Sequence, residues 1–292
     1  MRIALYNRVF EPSDIPFFKQ LISLLHSYRF EIVLYKDFYE RLQSSIELDY
    51  TPTLFTNHTD LNHDIDLMLS LGGDGTMLDT VCFVHDSNIP TLGVNLGRLG
   101  FLADVNQDEI AIAVKALALG SYSIEKRSLI HLDSSEPLFG DYPFALNEFT
   151  LHRKDSSSMI KIHTFLNGDF LNTYWADGLI VATPTGSTGY SLSCSGPLVF
   201  PTAGNFILTP VAPHNLNIRP IIVPDDTIIS FEVEGRTDQF LCTLDSRVAT
   251  INSKIQLAVK KERFGLNLIR LDEHNFLNTI RKKLFWGIDT RN

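Results

Sequence analysis

Apolar positions in the first hundred residues follow two periods in turn. Ile3-Ala4-Leu5-Tyr6 is a short apolar run of the length a buried strand needs. Ser13 or Asp14 can cap the helix that follows, with Pro16 in its first turn and Phe17, Leu21, Leu24 and Tyr28 near helical spacing. Glu31-Ile32-Val33-Leu34-Tyr35 reads as strand again, and a weaker helical pattern spans about Phe38 to Ile46. Ile65 to Leu69 is a third apolar run, and it leads directly into Gly72-Gly73-Asp74-Gly75. Helical spacing resumes at Met77, Leu78, Val81 and Val84, and Thr91-Leu92-Gly93-Val94 follows Pro90. Strand, helix and strand in this rhythm predict a parallel sheet with crossover helices.

The pattern changes after about residue 105. A helix over Asp108 to Leu119 links the two parts, and β-rich runs dominate beyond it: Ser128–Leu132, Phe144–Leu151 and Ile160–Leu166. Asn167-Gly168, set between Thr164-Phe165-Leu166 and Phe170-Leu171, predicts a hairpin, because both turn residues need positive φ. Further strands are expected at Gly178–Ala182, Ile221–Val223, Ile228–Glu234 and Gln256–Val259. From Asp272 to Trp286 helical spacing returns with Phe276, Ile280 and Leu284, in the manner of the first part. The expected fold class is an α/β N-terminal domain with a parallel sheet plus a mostly antiparallel β-rich second domain. The expected division is 1–104 joined by a C-terminal segment 271–292, and 105–270.

Composition narrows the function. The 292 residues carry 25 Lys and Arg against 34 Asp and Glu, a net charge of -9. Basic residues come in short runs such as Lys260-Lys261 and Lys282-Lys283, so a nucleic-acid partner is not expected. No apolar stretch approaches a membrane span, and MRIALYNRVFEPSD is too short of apolar residues for a signal peptide. Cys82, Cys194 and Cys242 are far apart and form no C-x-x-C, which fits a reducing cytoplasm and neither a disulfide framework nor a zinc site.

The stretch Gly72-Gly73-Asp74-Gly75 sits between a strand and a helix, where open α/β sheets bind ligands. Glycines admit close approach, and the first N–H groups of the helix suit phosphate. Neither the P-loop spacing nor G-x-G-x-x-G is present. A carboxylate facing phosphate would repel it, so Asp74 holds Mg²⁺, holds a ribose hydroxyl, or takes a proton from an attacking hydroxyl. The plainer alternative is a strand-to-helix turn with Asp74 as N-cap, and for the turn alone the two readings stand level.

A second stretch, DGLIVATPTGSTGYSLSCSGP over 177–197, runs from a short apolar strand into a segment dominated by Thr, Ser and Gly. Its hydroxyls and N–H groups suit ribose, amide and phosphate, and Tyr190 offers a face for a base. Asn147-Glu148 interrupts the apolar run FALNEFTL, as a satisfied edge or as a ligand-facing pair. Taken with L-G-G-D-G-T and with G-V-N-L-G-R-L-G-F-L over Gly93 to Leu102, these stretches follow the order and spacing of one family. The chain resembles the NAD kinases over most of its length. The Gly-Gly-Asp-Gly-Thr element is shared with lipid kinases of the diacylglycerol type and, in variant form, with phosphofructokinases. The Thr-Pro-Thr-Gly-Ser-Thr element is far more specific.

The resemblance implies transfer of the γ-phosphoryl of ATP, another nucleoside triphosphate or polyphosphate to the adenosine ribose 2′-hydroxyl of NAD, giving NADP. It implies that Asp74 is the general base and that Gly72, Gly73 and Gly75 leave room for phosphate. Asn147, Glu148, Asp177, Thr188, Gly189, Tyr190, Ser191, Leu192 and Ser193 match NAD-contacting positions. Mg²⁺ or another divalent metal, a cytoplasmic setting and a homo-oligomer, dimer or tetramer, are implied with them. Four positions depart from the commoner pattern: Asp79, Trp175 (whose ring can stack where a cation is usual), Gly189 and Arg247. The competing readings are a kinase for a lipid or sugar acceptor and a silent NAD or NADP sensor. His58, Asp60, His63, Asp64 and Asp66 form no metal-ligand pattern, and Arg127, Arg153 and Lys154 read as surface charges. Cys82 and Cys194 read as small buried hydrophobes.

Overall fold

The computed structural model describes residues 1–61, 64–155, 158–271 and 275–287; His63 and Asp272, both named above, lie outside them. The chain divides into two compact units, Met1–Lys126 with Leu266–Asn292, and Arg127–Gly265.

The first unit alternates strand and helix as its periodicity predicts. β1 (Arg2–Tyr6), α1 (Ile15–Ser27), β2 (Glu31–Tyr35), α2 (Lys36–Leu42), β3 (Thr53–Phe55), β4 (Leu67–Leu71), α3 (Asp74–Val84), β5 (Thr91–Asn95), β6 (Ala103–Asn106) and α4 (Ile110–Leu119) follow in order. The strands are parallel, in the order β3-β2-β1-β4-β5, with β6 also on β5. β1, β2 and β4 pack against α1 and α4 through Ile3, Phe18, Leu21, Leu34, Leu69 and Val114. α4, expected to link the two parts, buries Ile110, Ala113, Val114 and Leu117 in this core. From β1 the chain winds outward to β2 and β3, then returns to β4 and winds the other way to β5. β1 and β4 are therefore the strands at which the winding reverses, and ligands of open α/β sheets gather beyond the carboxyl ends of such strands.

The second unit is antiparallel. Its elements are β7 (Ser123–Ser134), which enters from the first unit, β8 (Phe144–Ala145), β9 (Glu148–Arg153), β10 (Ile160–Leu166), β11 (Asp169–Ala176), β12 (Gly178–Ala182), α5 (Tyr190–Ser193), β13 (Asn205–Val211), β14 (Ile221–Pro224), β15 (Ile229–Glu234), β16 (Phe240–Leu244), β17 (Arg247–Ile251) and β18 (Leu257–Arg270). One sheet runs β14-β13-β12-β9-β16-β17, and a second layer joins β11, β10, β15 and the first part of β18. Their inner faces share one core, with Phe149 stacked on Phe231 at 5.4 Å between ring centroids. Asn167 and Gly168 have φ of 51° and 89° and close the hairpin with Leu166 opposite Asp169, as the Asn-Gly pair predicts. β18 continues into the first unit, where Leu268 pairs with Thr91, and α6 (Phe276–Leu284) completes that unit. Among the described residues no helix is long and apolar enough to cross a membrane.

Candidate active site

In the first unit, β4 ends at Leu71 and α3 begins at Asp74, so the glycine-rich turn stands where the winding reverses. Asn7, one residue past β1 and fully buried, donates from Nδ2 to the Leu71 carbonyl at 2.7 Å and ties the two strand ends together. The glycines of the turn differ in what they permit. A Cβ on Gly72 would sit 2.2 Å from Thr76 Oγ1, so packing within the turn excludes a side chain there. Cβ atoms on Gly73 and Gly75 would meet no protein atom within 4 Å, so packing within the unit does not call for glycine at those two positions.

Asp74 does not cap α3 with its own side chain; that place belongs to Gly73, and the N-cap alternative falls away. The Asp74 carboxylate reaches instead to the segment before β6. Oδ2 accepts from the Phe101 N–H at 2.9 Å, and Oδ1 accepts from Leu102 and Ala103 at 2.9 and 3.1 Å. Lys283 Nζ lies 3.4 Å from Oδ2 and 4.8 Å from the centroid of the Phe101 ring. A side chain at Gly100 would take the carboxylate's place, since its Cβ would stand 2.0 Å from Oδ1. The pattern G-R-L-G-F-L thus has a local cause: it presents three successive N–H groups to one carboxylate. An ionised carboxylate offers about four lone-pair positions, and four donors stand around this one. Asp79, further along α3, accepts from Tyr6 Oη at 3.5 Å and pairs with Arg8 at 3.2 Å.

The second unit brings two of the sequence motifs together. β9 and β12 are antiparallel neighbours with Glu148 opposite Ala182, so Asn147-Glu148 at the start of one strand meets Thr183–Gly189 at the end of the other. Thr183 N–H donates to the Asn147 carbonyl at 2.8 Å, and its hydroxyl donates to Leu146 O at 2.6 Å. A Cβ on Gly186 would fall 2.1 Å from the Asn147 carbonyl oxygen, so glycine alone admits this contact between backbones. The hydroxyls nearest the strand are spent inside the fold. Ser187 Oγ bonds to Val199, Thr188 Oγ1 donates to Thr185 O, and Ser191 Oγ shares a proton with Thr209 Oγ1. Tyr190 and Ser193 are exposed, and Leu192 is half-buried. Asp177 is gripped by Arg153, with Nε to Oδ1 and a guanidinium nitrogen to Oδ2 both at 3.0 Å.

Asp245, at the turn between β16 and β17, was not singled out by its sequence. It has φ of 51°, and its carboxylate accepts from the N–H groups of Leu146, Asn147 and Glu148 at 2.8, 2.8 and 3.1 Å. Each unit therefore holds its motif segment by one carboxylate on three successive N–H groups. Glu148 sits close by with Oε2 buried, and an added Cβ on Gly189 would stand 2.8 Å from that oxygen. Burial, and next the charge of Asp245, push the Glu148 carboxyl up to about 8, against the pull of the Tyr190 N–H. Burial likewise raises Asp245.

This gives a pH dependence with a definite sign. Between the ordinary 4.5 and about 8, folded Glu148 keeps a proton that the unfolded chain has lost. Stability contributed by this group is present below 4.5 and declines as pH rises through the window, levelling above 8. Urea midpoints of the wild type and Glu148→Gln, measured from pH 5 to 9, are expected to separate in favour of the variant as pH rises. Parallel curves would show that Glu148 does not carry the effect.

Several charges fall elsewhere than the sequence suggested. Arg127 is 2% exposed, not a surface charge, and donates to Thr185 Oγ1 at 3.0 Å. Arg153 grips Asp177, whereas Lys154 is exposed beside Gln239. Arg247 donates to the carbonyls of Tyr142 and Phe144 and lies over both the Phe139 and Phe144 rings. Trp175 is half-exposed beside His214. Cys82 and Cys194 are only partly buried; Cys242 is buried. Asp60 bonds to Thr56 and Asn57, Asp66 accepts from Arg2 N, and Asp64 pairs with Arg2, so this acidic stretch is spent on local structure. Among the described residues no three His, Cys, Asp or Glu side chains converge to hold a metal.

Comparison with known proteins bears on the family and the fold. The N-terminal domain model of the ATP-NAD kinases matches residues 10–122, and the C-terminal domain model matches 146–271. An NAD kinase of Cytophaga hutchinsonii is 52% identical over the full length of both chains, and one of Flavobacterium psychrophilum is 43% identical over the full length of both. Yeast NADH kinase, solved with NADH, has a similar fold with a TM-score of 0.87 at 23% identity, covering 99% of this chain and 89% of its own. An NAD kinase of Archaeoglobus fulgidus, solved with ATP, gives 0.73 at 22% identity, covering 96% and 99%. With both domain models matched in order and relatives alike from end to end, the chain belongs to the NAD kinase family.

Proposed function

We propose that this enzyme, which phosphorylates NAD, takes the γ-phosphoryl of ATP and transfers it to the 2′-hydroxyl of the adenosine ribose, with Asp74 as general base. The observation that supports this most is the position of Asp74: the first residue of α3, where the sheet reverses its winding, beside two glycines that no protein packing requires. A ribose hydroxyl is a weak nucleophile and needs a base within hydrogen-bond reach. In the transfer, Asp74 accepts the hydroxyl proton, the ribose oxygen bonds to the γ-phosphorus, and the bond to the bridging oxygen breaks with its electron pair leaving on ADP. The first N–H groups of α3 favour the developing negative charge.

Asn147 and Glu148 are the groups proposed to hold NAD, with Asp245 fixing their backbone; Asp177, Thr188, Gly189, Tyr190, Ser191, Leu192 and Ser193 border the same segment. Because the Ser191 hydroxyl is bonded to Thr209, its part is to shape that segment, while Asp177 meets NAD as a carboxylate already paired with Arg153. Mg²⁺ bound to triphosphate asks for only one or two protein carboxylates, and Asp74, at the start of α3 beside the glycine-rich turn, is the carboxylate that would face it. When bound, the ion would neutralise phosphate charge. The same reading puts the enzyme in the cytoplasm as a dimer or tetramer.

The test is to offer ATP, GTP and polyphosphate in turn with NAD and Mg²⁺, and to locate the new phosphate by phosphorus–proton coupling in the product. Coupling to the adenosine ribose H2′, strongest with ATP, is expected. Phosphate elsewhere on NAD would overturn the assignment of the acceptor, and a product formed only from polyphosphate would overturn that of the donor.

A further inference from the structure

We infer that Lys283, near the end of α6, holds Asp74 until the phosphate donor arrives and then moves its ammonium from the carboxylate to the donor's phosphate oxygens. The inference rests on the reading of Asp74 as base. Lys283 stands 209 positions from Asp74 in the chain, and α6 brings its ammonium to the carboxylate. The four donors around Asp74 are not equal. The three backbone N–H groups lie at 2.9, 2.9 and 3.1 Å on a strand-bound segment, whereas the ammonium lies at 3.4 Å on a flexible stem. Lys283 is therefore the donor that yields most easily. It sits on Oδ2, so its departure opens a lone pair on that oxygen, where a hydroxyl proton can be taken.

The remaining contact of Lys283 explains why it does not simply swing into solvent. Its ammonium lies 4.8 Å from the Phe101 ring centroid, and a cation is attracted to such a face. Phe101 gives its N–H to the same Oδ2, so ring, amide and ammonium converge on one oxygen. The Lys283 side chain is one-third exposed, and α6 ends in the basic run Arg281, Lys282 and Lys283. The contact of Lys283 with Asp74, the first residue of α3, sets this cation against the glycine-rich turn, where a triphosphate needs positive charge. An ammonium exchanges a carboxylate for phosphate oxygens readily, as a compact point charge.

The experiment compares Lys283→Ala, Lys283→Arg and Asp74→Asn, each with its melting temperature, its kcat and KM, and its ATP affinity by calorimetry. Lys283→Ala is expected to lower kcat about tenfold or more and weaken ATP binding several-fold, with the KM for NAD and the melting temperature little changed; Lys283→Arg is expected to recover most of both losses. Weaker ATP binding should persist when Lys283→Ala is combined with Asp74→Asn, because the phosphate contact does not pass through the carboxylate. Unchanged kcat and ATP affinity in Lys283→Ala, alongside an inactive Asp74→Asn, would overturn the role of Lys283 and leave the base intact. Full activity in Asp74→Asn would remove the base itself. A lowered melting temperature that arginine restores without restoring kcat would reduce Lys283 to a structural contact.

Discussion

Replacing Asp74 with Asn is expected to lower kcat by about 10²–10⁴, the usual contribution of a positioned general base, while NAD still binds. The size comes from two losses at one atom. The amide cannot take the ribose proton, and its NH₂ stands in place of one oxygen as a donor set against either the Phe101 N–H or those of Leu102 and Ala103, where the carboxylate accepted from all three. The second loss loosens the segment around Gly100, so ATP affinity is expected to fall as well. Asp74→Glu keeps the charge but lengthens the side chain in a space where even a methyl group at Gly100 would collide. It is expected to recover little. NAD affinity by fluorescence or calorimetry, set beside kcat, separates these effects; a variant that loses NAD binding in step with kcat would place Asp74 in substrate binding and not in proton transfer.

The second large effect is expected at a residue with no obvious chemistry. Asp245→Ala removes the acceptor of three successive N–H groups and leaves them facing one another at the start of β9. Hydrogen bonds to a charged acceptor contribute about 1.5–3 kcal/mol each at most, and orphaned donors cost further; allowing for water that replaces part of the loss, we expect destabilisation of about 3 kcal/mol. Asn147 and Glu148 then lose their fixed backbone, so the KM for NAD is expected to rise more than tenfold while the KM for ATP holds. Asp245→Asn is expected to lose less, because burial already disfavours the charge at this position and the amide oxygen still accepts. Urea unfolding with steady-state kinetics on both variants checks this. An Asp245→Ala protein of wild-type stability and KM would show that the β9 segment is held by its strand partners alone.

The alternation of the first unit was legible because strand and helix periods leave different marks, and the glycine-rich turn stood at their junction. β4 is displaced by two residues from its expected place, and α2 starts two residues and ends four residues earlier than expected, because element ends are the features least marked by periodicity. The Asn167-Gly168 hairpin was legible for a steric reason, since two positive φ values leave few other residue pairs. β13 was not: Pro210 interrupts Asn205–Val211 and argues against a strand between two neighbours, yet the strand pairs with both β12 and β14. The backbone partners of Asp74 and Asp245 could not be read either. One carboxylate reaches N–H groups 27 to 29 positions away and the other 97 to 99, and backbone donors carry no residue type. The resemblance marked Asp74 as a base without showing that four donors surround it, and it gave no sign of Lys283. The buried Arg127 looked like any surface charge, because nothing in Lys126-Arg127-Ser128 reports the Thr185 hydroxyl that receives it.

The most direct test of the account is the formation of NADP by the purified protein from NAD, ATP and Mg²⁺, followed with an NADP-specific dehydrogenase. The account predicts steady NADP formation that requires ATP and falls by at least a hundredfold in Asp74→Asn. An absence of NADP from the wild-type protein, or equal rates from the wild type and the variant, would contradict it.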